Sequence, residues 1–585
     1  MKLLLSENLR KKLIIALCWL MVLPLALAKD KSLVFFKDKP DVVFDPYSYF
    51  DDNAIARRKR NNIALTAFSD LPVSQHYIDS IRPLVDEITM KSRWLNAITV
   101  YASQKAICQI KEFHFVDSVY EVTPFLLKRN TCTFPEMIMH EAAESIQSFL
   151  HPAKNESPAF FRKRKEFLLS KQIKHLEGEL FTENGYRGQG VKIAVLDAGF
   201  KDADVNPYLT HLFQHQRILK TYDFIDNDEH VFDGLNHGTM VLSCMAGKKD
   251  DQYLGLATEA DYLLARTEKL LEVFADEENW IMAAEWADKN GADIISSSLG
   301  YAYHRYYTHD MNGTSSFVAK AARIAASKGI LVVNSAGNSG NDDWEVITTP
   351  ADVEKVLSIG GVDPESMTHI LFSSYGPTAD YRMKPNLVAM GEAAVGKGKR
   401  LKRSFGTSFS CPLVTGFSAC VLQKNPDYTF DEFFNALEQS GHLYPYFDYA
   451  HGYGIPQAGY FFDENQDWRN IRNSGEGDDP NKNPDKKERI KSQENSLQTF
   501  HVHRQDDSLF VHIHHPDSTD KEKDTAAVSN LLYYHVVDTN DQVYEYATIK
   551  PSFHKPIKMK IDTSRVQLLR FYYRDTTDEF IVQTR

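Results

Sequence analysis

VKIAVLD, residues 191–197, is apolar almost throughout and ends in an acid. A strand with one face in water alternates apolar and polar residues, so a continuous run predicts a strand covered on both faces. Three further runs have the same character: YLLARTE at 262–268, ADIISSSLG at 292–300 and ILVVNSAGN at 330–338. Between them lie helical patterns such as NWIMAAEWADKNG (279–291) and SFVAKAARIAASKG (316–329), each closed by a glycine suited to a left-handed cap. Buried strands alternating with amphipathic helices predict an α/β domain of three layers, a mostly parallel sheet between helices, over residues 165–463. Functional groups in such sheets gather at the carboxyl ends of the strands.

The flanking regions differ in character. Lys2, Arg10, Lys11 and Lys12 precede an apolar run from Leu13 to Ala28 that closes on Ala26-Leu27-Ala28. This pattern predicts a signal peptide over 1–28 and a destination outside the cytoplasm, whether secreted, periplasmic or on the cell surface. The run is interrupted by Pro24 and is short for a membrane span. Residues 29–125 read as a small α+β domain: a strand at Leu33–Phe36, a helix around Tyr77–Val85, strands around Trp94–Val100 and a last strand near Phe115–Val122. A polar connector with basic clusters follows over 126–164. Residues 464–497 have the charged, Pro- and Gly-bearing composition of a linker. The segment 498–585 returns to short alternating strands, predicting a small β-sandwich.

Net charge is −12, from 79 acids against 67 bases, so no basic excess offers a footprint for nucleic acid. Outside the leader the five cysteines, at 108, 132, 244, 411 and 420, are too few and scattered for a disulfide framework or a metal motif. Cys244, Cys411 and Cys420 read as buried thiols; Cys108 and Cys132 could pair.

Three motifs sit where the sheet predicts a site. Val195-Leu196-Asp197-Ala198-Gly199 places an acid at the end of a buried strand. Asn236-His237-Gly238-Thr239 sets a histidine before an apolar helix, and Gly406-Thr407-Ser408-Phe409-Ser410-Cys411-Pro412 sets a serine at the entry to a helix of small residues. A serine hydroxyl becomes nucleophilic when a neighbouring base takes its proton, and histidine is the base that titrates near neutrality. A buried carboxylate fixes the imidazole tautomer. Ser335-Ala336-Gly337-Asn338 ends a further strand with an amide that can donate to a developing oxyanion.

The order Asp, His, Asn, Ser, with gaps of 40, 101 and 70 residues (237 − 197, 338 − 237, 408 − 338), resembles the subtilisin-like serine proteases. Gly188-Gln189-Gly190, Phe372-Ser373-Ser374-Tyr375-Gly376-Pro377 and Gly452-Tyr453-Gly454-Ile455-Pro456 extend the resemblance over 165–463, nearest to subtilases of the Bacteroidetes type. It implies a secreted serine endopeptidase in which Asp197 orients His237, Ser408 attacks, and the Asn338 side chain with the Ser408 backbone N–H holds the oxyanion. Ser298, Leu299 and Gly300 would pair with substrate backbone, and Ala336 and Gly337 would line the primary specificity pocket. Protein or peptide substrates are implied, with no cofactor required for catalysis, a monomeric enzyme, and residues 29–125 as an inhibitory propeptide. Ala198 departs from the usual Thr or Ser, and Tyr301 from a second Gly.

Weaker signals are weighed against plain alternatives. Asp226, Asp228 and Glu229 could bind structural calcium, although solvated acids are the favoured reading. His501, His503, His512 and His514 would share one face of a hairpin and offer zinc ligands if 501 faces 514 and 503 faces 512; ordinary strand histidines are favoured. Glu277, Glu278, Asp342 and Asp343 give a weak lean toward basic substrates. The rival to the enzyme is a secreted pseudoprotease whose C-terminal domain binds a partner.

Overall fold

The continuous apolar runs do form a parallel sheet. The computed structural model describes residues 30–40, 42–122, 158–268, 273–302, 305–463, 500–505, 508–513, 531–538, 543–551, 556–560, 566–573 and 576–581. The leader read at 1–28, the linker at 464–497, Cys132 and His514 lie outside them.

The described residues divide into two compact units. The first comprises residues 30–49 and 65–122. Strands β1 (Asp30–Phe36), β2 (Glu87–Ser92), β3 (Ala97–Ala102) and β4 (Val116–Val122) form an antiparallel sheet in the order β2-β3-β1-β4. Helices α2 (Gln75–Ile81) and α3 (Gln104–Lys111) bury Ile78, Ile107 and Ile110 with Val34, Ile98 and Val100. Helix α2 is shorter than the sequence pattern suggests because Pro83 follows it. Trp94–Asn96 is a turn rather than strand, with Asn96 at φ +50°.

The second unit holds residues 50–64 and the remainder. It opens with helix α1 (Asp52–Arg60), followed after the first unit by α4 (Pro158–Gln172). Its sheet has seven parallel strands: β5 (Lys192–Asp197), β6 (Ile218–Asp223), β7 (Asp261–Arg266), β8 (Ile294–Ser297), β9 (Leu331–Ser335), β10 (Val356–Val362) and β11 (Leu387–Met390). The order is β11-β10-β9-β8-β5-β7-β6, and every neighbouring pair is parallel. The chain leaves β5 toward one edge and later builds from β8 toward the other. Asp197 therefore ends the strand at which the order reverses, where a crevice opens in such sheets.

Helices α5 (His237–Ala246) and α8 (Thr407–Lys424) share an apolar core with Ile193, Val195, Ile294 and Val333. The alternate residues Ala194, Leu196, Ile295 and Val332 are buried as well, and α6 (Val273–Lys289) and α7 (Phe317–Ser327) contact the sheet. Both faces of the sheet are covered, which accounts for the unbroken apolar runs. Gly291 and Gly329, just past α6 and α7, adopt φ +80° and +79°, the left-handed conformation that glycine reaches without strain.

The C-terminal region is a sandwich. Strands Phe500–Gln505, Ser508–Ile513 and Ile557–Lys560 form one antiparallel sheet, and Leu532–Asp538, Val543–Ile549, Val566–Tyr573 and Thr576–Ile581 another. Leu509, Val511 and Met559 of the first meet Val536, Leu569 and Phe571 of the second. Tyr533 and Tyr572 pack with Leu443 and Tyr446 of the second unit's α/β part.

The histidine hairpin has a different register from the one read. His501 pairs with His512 and His503 with Phe510, because the turn is centred one residue earlier. The His501 and His512 rings lie 6.1 Å apart, on the face opposite the buried Leu509 and Val511.

Candidate active site

Four loops bring the sequence-predicted residues to one end of the sheet. Asp197 is the last residue of β5 and is fully buried. The Ala198 N–H donates to its Oδ1 at 2.8 Å, so the backbone serves the carboxylate where a side-chain hydroxyl is absent. His237 opens α5, and its Nδ1 lies 2.8 and 3.0 Å from the two Asp197 oxygens. That contact holds the ring with Nδ1 protonated and Nε2 available to accept a proton. Burial opposes the charged imidazole, but the charge and hydrogen bond of Asp197, with Glu268 behind them, outweigh it and raise the His237 pKa above its usual value.

Ser408 is the second residue of α8, and Cys411, a buried thiol as read, follows one turn on. Pro412 stands four residues after Ser408. Proline has no N–H, so the Ser408 carbonyl lacks its helical donor. The Ser298 hydroxyl supplies the missing bond at 2.9 Å, while the Ser408 hydroxyl lies 3.4 Å from the Ser298 carbonyl oxygen. This reciprocal pair fastens the start of α8 to the loop after β8. Sequence reasoning placed Ser298 only against substrate; the proline one turn after Ser408 was the signal for its second contact.

Asn338 is exposed, and its Oδ1 accepts from the Thr407 N–H at 2.8 Å and the Thr407 hydroxyl at 3.0 Å. The amide orientation is thereby fixed. Its Nδ2 and the Ser408 N converge: a Cβ placed on Gly406 would stand 3.5 Å from the first and 3.7 Å from the second. Both nitrogens lie near the same glycine, and each carries an N–H of the kind that can stabilise an oxyanion.

The predicted binding segments also meet. A Cβ on Gly300 would lie 2.1 Å from the Thr348 Oγ1, and one on Gly337 would lie 3.1 Å from the Thr348 Cγ2. Thr348, missed by the sequence reading, therefore sits between the two segments. Leu299 is buried with its carbonyl accepting from the Asn334 amide at 2.9 Å. Ala336 is fully buried, its carbonyl held by the Thr348 N–H at 3.1 Å.

Glu268 lies two residues past the end of β7. Its Oε1 accepts from the Tyr301 hydroxyl at 2.9 Å. Burial pushes its carboxyl pKa up to about 7; Tyr301 and His237 work downward, and Asp197 upward. Tyr301 is buried and turned to this carboxyl. Of the four acids read as leaning toward basic substrates, Asp342 is half-buried and Asp343 exposed, whereas the other two are withdrawn from solvent. Glu277 is fully buried, held by Arg305 at 2.8 Å and the Tyr306 hydroxyl at 2.7 Å, and Glu278 is buried beside it. In the loop considered for calcium, Arg266 engages Asp223 at 2.7 Å and Asp226 at 3.3 Å. Among the described residues, no three His, Cys, Asp or Glu side chains form a metal-binding group.

The subtilase family profile, peptidase S8, matches residues 188–454, the span that carries every residue of this site. The peptidase S8 propeptide domain of Bacteroidota matches residues 31–133. The chain carries a subtilase (peptidase S8) domain preceded by a peptidase S8 propeptide domain. Serine protease AprX of Bacillus subtilis (strain 168) is 27% identical over 321 residues, covering 49% of this chain and 70% of that protein. Subtilisin BL of Lederbergia lenta is 28% identical over 275 residues, covering 46% of this chain and 89% of that one. A solved cold adapted subtilisin-like serine proteinase covers 46% of this chain and 88% of its own, with 24% identity and a TM-score of 0.35. This subtilase is thus a serine endopeptidase by family, with a propeptide domain before the peptidase domain. The family needs no cofactor for catalysis.

Proposed function

We propose that this subtilase cleaves peptide bonds by acyl transfer, with Ser408 as nucleophile, His237 as general base and then general acid, and Asp197 as the group that orients the imidazole. The observation that carries the reading is that His237 Nδ1 lies 2.8 and 3.0 Å from the two Asp197 oxygens, with the imidazole 5.8 Å from the ring of Phe409, the residue after Ser408. His237 takes the Ser408 proton as the oxygen attacks the scissile carbonyl, and the carbonyl oxygen becomes an anion facing Asn338 Nδ2 and the Ser408 N–H. His237 then gives its proton to the leaving amine. Water enters, and the same groups run the second half in reverse order. Ser298–Gly300 and Ala336–Gly337 form the two walls that receive substrate.

In the same reading the chain is made with a leader that directs it out of the cytoplasm, and residues 29–125 inhibit the peptidase until they are cut away. No helix among the described residues is long and apolar enough to cross a membrane. A fluorophosphonate should label Ser408, and Ser408→Ala should abolish labelling and cost on the order of 10⁶ in turnover. Undiminished proteolysis by the Ser408→Ala chain would falsify the mechanism, whereas an unmutated mature chain that neither takes the label nor cleaves peptides would favour a pseudoprotease.

A further inference from the structure

Residues 50–64 fall inside the propeptide match, yet they pack with the peptidase unit. Helix α1 carries Arg57 and Arg58 side by side, both buried. Their guanidinium groups converge on one carboxylate of α6: Arg57 Nη2 lies 2.5 Å from Asp288 Oδ1, and Arg58 Nη2 lies 2.9 Å from Asp288 Oδ2. Arg57 also donates through Nε to the Lys328 carbonyl at 3.0 Å and through Nη1 to the Ala292 carbonyl. Lys328 caps the carboxyl end of α7, where carbonyl oxygens lack helical donors and carry partial negative charge. One arginine thus serves the ends of two helices. Burial lowers the Arg57 pKa to about 10, opposed mainly by Asp288, so the charge persists at neutral pH.

The flanks of the helix are fitted too. The Asp51 N–H donates to the Lys289 carbonyl at 2.9 Å, and Lys192 Nζ lies 3.0 Å from Asp51 Oδ1. Gly291 and Gly329, already required for their caps, also leave room for this segment. A Cβ on the first would stand 2.5 Å from Asp51 Oδ1, and on the second 2.6 Å from Asn61 Nδ2. Lys192 begins β5 and Asp197 ends it. At 3.2–3.4 Å per residue the docked helix meets the sheet about 17 Å from Asp197, at the opposite end.

We propose that Asp288 and the carbonyls of Ala292 and Lys328 form a docking site for the arginine pair of residues 50–64, by which the propeptide region grips the peptidase unit remote from the cleft. The proposal rests on the family assignment and the docked geometry, not on Ser408 being the nucleophile. Its specificity comes from the fork: two guanidinium groups match one carboxylate and its neighbouring carbonyls, which a pair of lysines could not reproduce.

The test uses the full chain carrying Ser408→Ala, cut in the connector by an added protease and diluted on a size-exclusion column. The propeptide fragment should stay with the peptidase fragment even when a non-cleavable peptide occupies the cleft. Arg57→Ala with Arg58→Ala should weaken retention roughly 10²–10³-fold, the loss expected when a buried charge keeps no partner. Asp288→Asn should weaken it comparably and add little to the arginine-free chain, because the two changes remove one interaction. Retention that ignores the arginines, or release of the unmutated fragment by the cleft peptide alone, overturns the proposal. If the double alanine chain does not fold, Arg57→Lys with Arg58→Lys is scored by hydrogen exchange at Asn290–Asp293 and Lys328–Ile330. Faster exchange there supports the docking site, and unchanged protection overturns it.

Discussion

Ser298→Ala isolates the bond that stands in for a missing helix donor. The Ser408 carbonyl accepts from the Ser298 hydroxyl at 2.9 Å because Pro412, one turn later, has no N–H to offer. Removing the hydroxyl leaves a partly buried carbonyl without a partner, at a cost of about 1–2 kcal/mol. For a peptidase unit of roughly 300 residues that corresponds to a fall in melting temperature of about 2–3 °C. The measurement is thermal unfolding of the full chain in the Ser408→Ala background, which prevents self-digestion. Pro412→Ala supplies the control, since it returns an N–H to the position that normally bonds the Ser408 carbonyl. The Ser298→Ala loss should therefore shrink by at least half when Pro412→Ala is also present. Equal losses with and without the proline would show that the hydroxyl acts by some other contact and would refute the argument.

Asn338→Ala should lose roughly 10²–10³ in kcat with little change in KM, because one oxyanion donor goes while ground-state binding stays; steady-state kinetics on a peptide amide checks the split. Glu268→Gln should shift the acid limb of the pH–activity profile to lower pH. The ionised carboxylate favours imidazolium at His237, so removing its charge lowers the pH at which the base becomes neutral; an unmoved limb would separate Glu268 from His237. The isolated 29–125 segment should inhibit the mature enzyme, as measured by slowed hydrolysis of the same amide.

Much of the peptidase sheet was legible because burial on both faces leaves an unmistakable pattern. VKIAVLD, ADIISSSLG and ILVVNSAGN contain β5, β8 and β9, and YLLARTE covers all of β7 but its first residue, Asp261. Strands β6, β10 and β11 were missed: β6, ILKTYD, lies at the edge with only its last residue buried and so loses the apolar run, while β10, VLSIGGV, is buried but broken by two glycines and β11, LVAM, has only four residues. The histidine hairpin shows the opposite case, in which the strands were evident but the register was not. Moving a turn centre by one residue moves every cross-strand partner by two, which keeps the shared face and changes which histidines meet.

The catalytic candidates were more legible than their supports for a physical reason. Asp197, His237, Asn338 and Ser408 are chemically restricted types, each tied to a local motif at a strand end or helix start. What holds them is long-range and uses common residue types: a serine 110 positions before Ser408, a tyrosine 33 positions after Glu268, an arginine 231 positions before Asp288. The arginine pair illustrates the limit. In sequence ARRKR is only a basic cluster, and a buried arginine requires partners that the local sequence cannot reveal. Those partners, Asp288 and two carbonyls near helix ends, come from segments separated in the chain by much of the first unit. Only the folded α/β unit gathers them, so the cluster's assignment to the peptidase unit follows from tertiary placement and not from its position within the propeptide sequence.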